Sequence, residues 1–483
     1  MIIIVYDDTV CKSEVIEDII GDKGFADVVV KKQKLEEYYK TEVKNCFQEF
    51  VWKKIHATFE YPALIKELEV YKGNDVKIMH CFSNYLISDS QKAALSFKKL
   101  PYVDEPFGVL AGKKAVGAMF PDTDSYMAFC QEIISGKNAA ELAKSIKDTF
   151  EMEGLVDIGV ISNFIQCITG NFDSRYFTTL KGNEYTLVKS SFNKKKIKAE
   201  YDFYHLLPED MRYWFVMPFH YEETDKVASY SMERLHMADL AVKWVHGSMG
   251  MAEFESLMDK YFFFIKNRHT KDCSEEEAKK TADMLYIDKV SERTKELKNL
   301  PEYEKIKALS ATYEEMDIDV LVNKYFELKT KIEKKNKYKK QLVIGHGDLC
   351  FANALYNKST KTLKFIDPKG ATKEEELWTN PYYDVAKLSH SVCGRYDFFN
   401  NALFEIKVDE DFTYKLEIPF DNSAYVEIFK RKLEENGFDY LTVRIYEVSL
   451  FLSMLPLHID NLHKVFGFIL NAKNILEEIE RDV

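Results

Sequence analysis

The apolar positions of this chain change their period along its length, and the changes divide it. Up to about residue 137, short apolar runs alternate with amphipathic stretches, the pattern of strands and helices in an α/β layer. Residues 2–6 predict a first buried strand and residues 13–20 a helix. Residues 26–30 and 76–81 have strand character, and 34–58 read as mostly helical. Pro101, Pro106 and Pro121 break up a loop-and-strand region before a helix over 125–134. Asn138 is placed to cap a further helix in which Leu142, Ile146 and Phe150 recur every four residues. Gly136 and Gly154 bracket it, so 138–154 is expected as a connector between domains.

From about residue 155 the pattern becomes that of a small five-strand unit. Residues 164–168, 176–180 and 185–188 read as antiparallel strands. Lys181-Gly182-Asn183-Glu184 turns between the last two, since Gly and Asn tolerate positive φ. A helix over 195–207 stops at Pro208, and strands over 214–219 and 228–233 complete the unit at about residue 236. From 237 to 483 helix predominates, interrupted by strands near 342–367.

Length and composition bound the picture. The 483 residues exceed a single core. With 46% hydrophobic and 30% charged residues the chain can build substantial cores and remain in water. A net charge of −12 argues against general nucleic-acid binding, which needs a basic face. The apolar run 448–457 is too short to span a bilayer, and the opening residues lack the basic segment of a signal peptide. Eight scattered cysteines without metal-ligand spacing point to reduced thiols in a cytoplasmic protein.

Candidate chemistry is concentrated in His346-Gly347-Asp348-Leu349-Cys350-Phe351-Ala352-Asn353 and, after a hairpin, Ile366-Asp367-Pro368-Lys369-Gly370. The strand 342–344 delivers Asp348 into a loop, where it can take a proton from an attacking hydroxyl. Asn353 can offer its carbonyl oxygen to Mg²⁺, a hard cation that takes oxygen ligands. Asp367, at the end of a strand over 363–366, can hold the same metal on nucleotide phosphates. Asp and Asn also collect at turns for capping reasons, but strand-and-loop context around the whole set favours chemistry.

These motifs resemble those of the aminoglycoside phosphotransferase and choline kinase family, relatives of the protein kinases. The resemblance implies a bilobal kinase-like α+β domain, with a small β-rich lobe over 155–236 and a large helical lobe over 237–483. It implies Asp348 as catalytic base, Asn353 and Asp367 as magnesium ligands, and His346 as a structural residue of the catalytic loop. Pro368-Lys369-Gly370 departs from the usual aromatic or acidic successor. That variant is similar to kinases of bacterial surface-polysaccharide (capsule) and lipid-headgroup gene clusters.

The rest of the segment extends the resemblance. Lys189 ends an apolar strand where a kinase places its phosphate-contacting lysine, and Glu200 on the next helix is expected to pair with it. Gly170 and Ser174 lie where a phosphate loop would, although one glycine is far from a Gly-rich signature. Met232, Glu233 and Leu235 resemble the adenine-binding hinge. Asp384 corresponds to the aspartate that ties down the catalytic loop, and His390, Arg395, Tyr396 and Asp397 are candidates for the acceptor pocket.

Residues 1–137 are expected to form an α/β Rossmann-like domain. Asp7-Asp8-Thr9 lacks the Asp-x-Asp spacing of aspartyl phosphatases. The order of elements faintly resembles a sugar-nucleotide nucleotidyltransferase, but the Gly-rich loop is missing and Phe82-Ser83-Asn84 stands where a metal aspartate would be. A degenerate domain serving binding, or assembly into a homo-oligomer, is the corresponding expectation. The sequence therefore predicts an ATP- and Mg²⁺-dependent kinase acting on a hydroxyl of a choline-like, sugar or polyol acceptor. The alternatives are a pseudokinase-like scaffold, which should have lost the base or a metal ligand, and a bifunctional kinase–nucleotidyltransferase.

Overall fold

The structure is a computed structural model that describes residues 1–168, 178–310, 314–336, 339–410 and 413–483. The chain forms two compact units, Met1–Asp173 and Ser174–Val483.

The first unit is built on a six-stranded sheet. Its strands are β1 (Ile2–Asp7), β2 (Phe50–Ile55), β3 (Lys77–Phe82), β4 (Phe107–Ala111), β5 (Lys114–Phe120) and β6 (Asp148–Glu151), in the order β2-β1-β3-β5-β4-β6. Every residue of β1 is buried, as suits a central strand covered on both faces. β1 runs parallel to β2 and β3, whereas β5 is antiparallel to β3 and β4, so the sheet is mixed rather than the parallel layer of a Rossmann-like domain.

Several sequence expectations fail here for identifiable reasons. Helix α1 (Glu14–Ile20) forms as expected, but α2 (Leu35–Lys44) ends early and residues 50–55 become the edge strand β2. Trp52 decides this, packing its ring 5.2 Å from Tyr6 across the sheet. The run 26–30 splits into a 3₁₀ turn, Phe25–Asp27, and a two-residue strand, Val29–Val30. Asn138 does cap a helix, α3 (Ala139–Ser145), through bonds from the Ala140 and Glu141 amides. That helix is no connector: it ends at Ser145, and Phe150 lies in β6, parallel to β4, its ring 6.1 Å from Phe107. The boundary expected at 138–154 thus moves to Asp173/Ser174. Residues 164–168 are not a strand but the end of helix α4 (Ile161–Ile168), which buries Phe164, Ile165 and Cys167. So short an apolar run does not distinguish the two periods.

Among the described residues the second unit opens with four strands, not five. β7 (Thr178–Gly182), β8 (Thr186–Ser191), β9 (Pro218–Glu223) and β10 (Ala228–Glu233) form an antiparallel sheet in the order β7-β8-β10-β9. The β7–β8 turn is made by the Asn183 side chain, which accepts from the amides of Tyr185 and Thr186; positive φ is not used. Helix α5 (Lys194–Leu206) lies against this sheet and ends before Pro208.

The remainder is mostly helical. Its buried centre joins Trp244, Phe254, Tyr261, Phe351 and Phe365 in one cluster, and a second cluster surrounds helices α6 (Ile318–Lys335), α7 (Tyr440–Met454) and α8 (Leu462–Asp482). From Thr442 to Met454 every residue of α7 is buried, which accounts for its apolar sequence as core. Among the described residues no helix is long and apolar enough to cross a membrane.

Candidate active site

The residues singled out around 346–367 converge because a strand and a hairpin end at the same place. Strand β11 (Gln341–Ile344) delivers the loop that carries Asp348. Strands β12 (Ala354–Asn357) and β13 (Thr362–Phe365) form the hairpin that returns the chain to Asp367. The turn between them is closed by the Asn357 side chain, which accepts from the Thr360 amide.

His346 joins the two loops. Its Nδ1 accepts from the Asp348 amide at 3.1 Å and its Nε2 donates to the Ile366 carbonyl at 2.9 Å. This pattern requires one tautomer of the neutral ring, and burial lowers its pKa accordingly. Phe215 stacks on the ring, with centroids 5.8 Å apart.

Asp384 clamps the same loop from below. It stands in helix α9 (Tyr383–Val392; α7 and α8 follow it in the chain), and its oxygens accept from the amides of His346 and Gly347 at 2.9 and 2.8 Å. Its charge is met by Arg268 at 2.9 Å, and both side chains are buried. Gly347 has φ +80, and a Cβ there would stand 2.5 Å from the Cβ of Lys369. Arg268 has no counterpart in the sequence reading, because nothing in a lone Asn-Arg-His before a strand marks it as a partner 116 residues away.

Asp348 makes an ion pair with Lys387 at 2.9 Å, and Asn353 donates its amide to the other carboxylate oxygen at 3.0 Å. Burial alone would raise the Asp348 pKa; the Lys387 ammonium outweighs it and brings the group down to about 2. The side chain is 43% exposed, so the carboxylate is charged and reachable. Asn353 thus spends its side-chain nitrogen on Asp348, donating to the backbone carbonyl at 2.9 Å as well as to the carboxylate. The sequence gives Lys387 no role of its own. Its place one turn after Asp384 on α9 is the only signal that could have found it.

Across from these groups, Lys189 bridges Glu200 and Asp367, each at 2.7 Å. It lies inside β8, two residues before the strand ends, rather than at its end. Burial disfavours the ammonium, but Asp367 and Glu200 more than compensate and its pKa is raised. Tyr230, directly opposite Lys189 in β10, donates its hydroxyl to Glu200. Asp367 has φ +54, a left-handed conformation that Asp tolerates better than most residues.

The segment after Asp367 is tied to α5. The Ala371 amide donates to the Ala199 carbonyl at 3.0 Å, and Gly370, at φ +88, lies so close that a Cβ would meet the Ala199 backbone at 2.8 Å. Thus Pro368-Lys369-Gly370 fixes the helix that carries Glu200. Gly370→Ala should lower stability by about 1–2 kcal/mol through strained φ and displaced backbone. Thermal denaturation checks this, and Glu200 should separate from Lys189 in the variant's crystal structure.

A cleft beside this network is lined by Tyr230, Met232, Phe215, Val216, Ile366 and Asp367. It includes Met232 from the expected hinge; Glu233 and Leu235 are not in its lining. Phe215 and Val216, which line it, belong to a segment read as strand that in fact only bridges to Phe365 before β9 begins. Gly170 and Ser174 lie outside the described residues. His390 is buried on α9, stacked 4.2 Å from Tyr396, and Asp397 is buried next to them in the chain. Arg395 has φ +53 and starts the short helix Tyr396–Asn400.

In the first unit, Asp7 and Asp8 are used by the fold. Asp7 accepts from the Tyr61 hydroxyl at 2.9 Å and faces His80 at 3.2 Å, and Asp8 accepts from the Ala26 amide at 3.0 Å. No group of three His, Cys, Asp or Glu side chains suited to a metal occurs among the described residues.

No family model matches this chain, and no curated protein matches it in sequence. Among solved structures it is similar to an apo thermostable mutant of aminoglycoside phosphotransferase APH(4)-Ia, at 11% identity and a TM-score of 0.35, over 66% of this chain and 99% of that one. It is likewise similar to the ternary complex of such a mutant with ADP and hygromycin B, at 11% identity and a TM-score of 0.37, over 66% of this chain and 98% of the other. A likeness this shallow adds nothing to the chemistry, which rests on the side chains themselves.

Proposed function

We propose that the second unit is an ATP- and Mg²⁺-dependent phosphotransferase that moves the γ-phosphate to a hydroxyl of a small molecule. The observation that carries this reading is the convergence of Asp348, Asn353 and Asp367 with the Lys189–Glu200 pair, although Lys189 and Asp367 are 178 residues apart. Structural ion pairs seldom place a buried lysine and two reachable carboxylates on one rim beside a carboxamide.

The oxygens present suit magnesium. It keeps several waters and is held by one or two protein groups together with phosphates, so two ligands rather than a cage are what it needs. Asn353 and Asp367 would hold it, and the bound ion would supply charge neutralisation on the β- and γ-phosphates. Lys189, fixed by Glu200, would turn from Asp367 to the α- and β-phosphates. The cleft beside Tyr230 and Met232 would receive the adenine. Asp348 would orient the acceptor hydroxyl and take its proton as the new O–P bond forms and the bond to the departing ADP breaks. The low pKa of Asp348 keeps it ionised for that role. The pseudokinase alternative is disfavoured because the base and both ligands are present. For the first unit we propose no reaction, since Asp7 and Asp8 serve its own fold.

Asp367→Asn tests the metal assignment. Nucleotide affinity measured by calorimetry should fall by about tenfold or more in the presence of Mg²⁺ and change little in EDTA. Equal magnesium dependence in both proteins would remove Asp367 from the site.

A further inference from the structure

We infer that Lys387 is a positioning residue for the proposed base, holding the Asp348 carboxylate in the orientation that receives the acceptor hydroxyl. This rests on the phosphotransfer reading and adds a residue to it. Helix α9 reaches the loop at two points one turn apart. Asp384 holds the backbone, accepting from the His346 and Gly347 amides, and Lys387 holds the side chain of Asp348. Residues three apart on a helix share a face. One element therefore sets both where the loop runs and where its carboxylate points.

The two oxygens of Asp348 have separate partners. Lys387 takes Oδ1 at 2.9 Å, and the Asn353 amide donates to Oδ2 at 3.0 Å. A carboxylate tied through one oxygen can still swing about its Cβ–Cγ bond. Tied through both, it turns only by giving up a charge-assisted bond. Each oxygen keeps a further lone pair, through which it can accept from a hydroxyl.

Exposure sets this pair apart from the ordinary surface ion pair, which contributes little. The Lys387 side chain is 13% exposed and that of Asp348 43%, so the lysine is the covered partner and the carboxylate the open one. A covered ammonium needs a counter-charge, and among the described residues Asp348 is the carboxylate it pairs with. Tyr383, one turn back on α9, is engaged elsewhere, its hydroxyl accepting from Lys289 at 3.0 Å. The lysine is thus committed to the group that the reaction would use.

The test uses the full-length protein with ATP and Mg²⁺. ADP release is read with a hexose, glycerol, choline, ethanolamine or water alone as acceptor, and the one giving most ADP is kept throughout. Lys387→Met should lower kcat by about thirtyfold or more. Its KM for ATP and its nucleotide affinity by calorimetry should stay within about threefold, because Lys189, Glu200 and Asp367 are untouched. The variant should fold, since an open carboxylate remains hydrated without its partner. Lys387→Arg keeps a charged donor and should recover kcat by about threefold or more over Lys387→Met. In the Asp348→Asn background, Lys387→Met should cost less than about threefold further, since nothing is left to position. Three results overturn the inference: kcat of Lys387→Met within about threefold of the wild type, a matching loss of nucleotide affinity, or an undiminished further loss in the double variant. No ADP from the wild type with any acceptor, water included, instead defeats phosphotransfer itself and the positioning role with it.

Discussion

Asp348→Ala should lower phosphotransfer by at least about 10²-fold while leaving the fold intact, the span expected for removing a general base. The carboxylate is 43% exposed and caps no helix, so its loss opens no cavity. It does leave the Lys387 ammonium without its counter-charge. Asp348→Asn is therefore the sharper variant, because its amide oxygen can still accept from Lys387 while the base is gone. Both variants should bind nucleotide with near-normal affinity, since Lys189, Glu200 and Asp367 are untouched. Turnover by Asp348→Asn within about threefold of the wild type would dismiss Asp348 as the base.

Asp384→Ala should produce the largest loss of stability, about 3–5 kcal/mol, because it strands a buried charge. Arg268 keeps bonds to the Ile265 and Pro381 carbonyls but loses its carboxylate partner, and the His346 and Gly347 amides lose their acceptor. In thermal denaturation the midpoint should fall on the order of 10 °C. A double-mutant cycle gives the diagnostic comparison. Arg268→Met combined with Asp384→Ala should be less damaging than the sum of the two, since the second change removes the charge that the first exposes. Strict additivity would mean that the pair is not coupled.

The part of the site legible in the sequence was the part built from local spacing. Asp348 and Asn353 lie five residues apart, and Asp367 follows after one hairpin, so strand and turn signals sufficed to place them together. Lys189 and Glu200 were legible because a lysine closing an apolar strand, with a glutamate on the helix that follows, matches the kinase pattern. Arg268 was not, because it meets Asp384 through tertiary packing across 116 residues, and Lys387 had only its place one turn after Asp384 to mark it. The same limit explains the errors. The runs 50–55 and 164–168 have nearly the same length and apolarity, yet one joins a sheet through Trp52 and the other coils against Phe25. Neighbours decided between strand and helix there.

The bond from Ala371 to Ala199, with Gly370 pressed against the same carbonyl, has a bearing on regulation. A helix stapled there is held by backbone contact, with Glu200 already 2.7 Å from Lys189. A catalyst of this build would need no licence from another enzyme. Its output would follow the supply of nucleotide and acceptor, as befits a step in metabolism more than a relay in signalling.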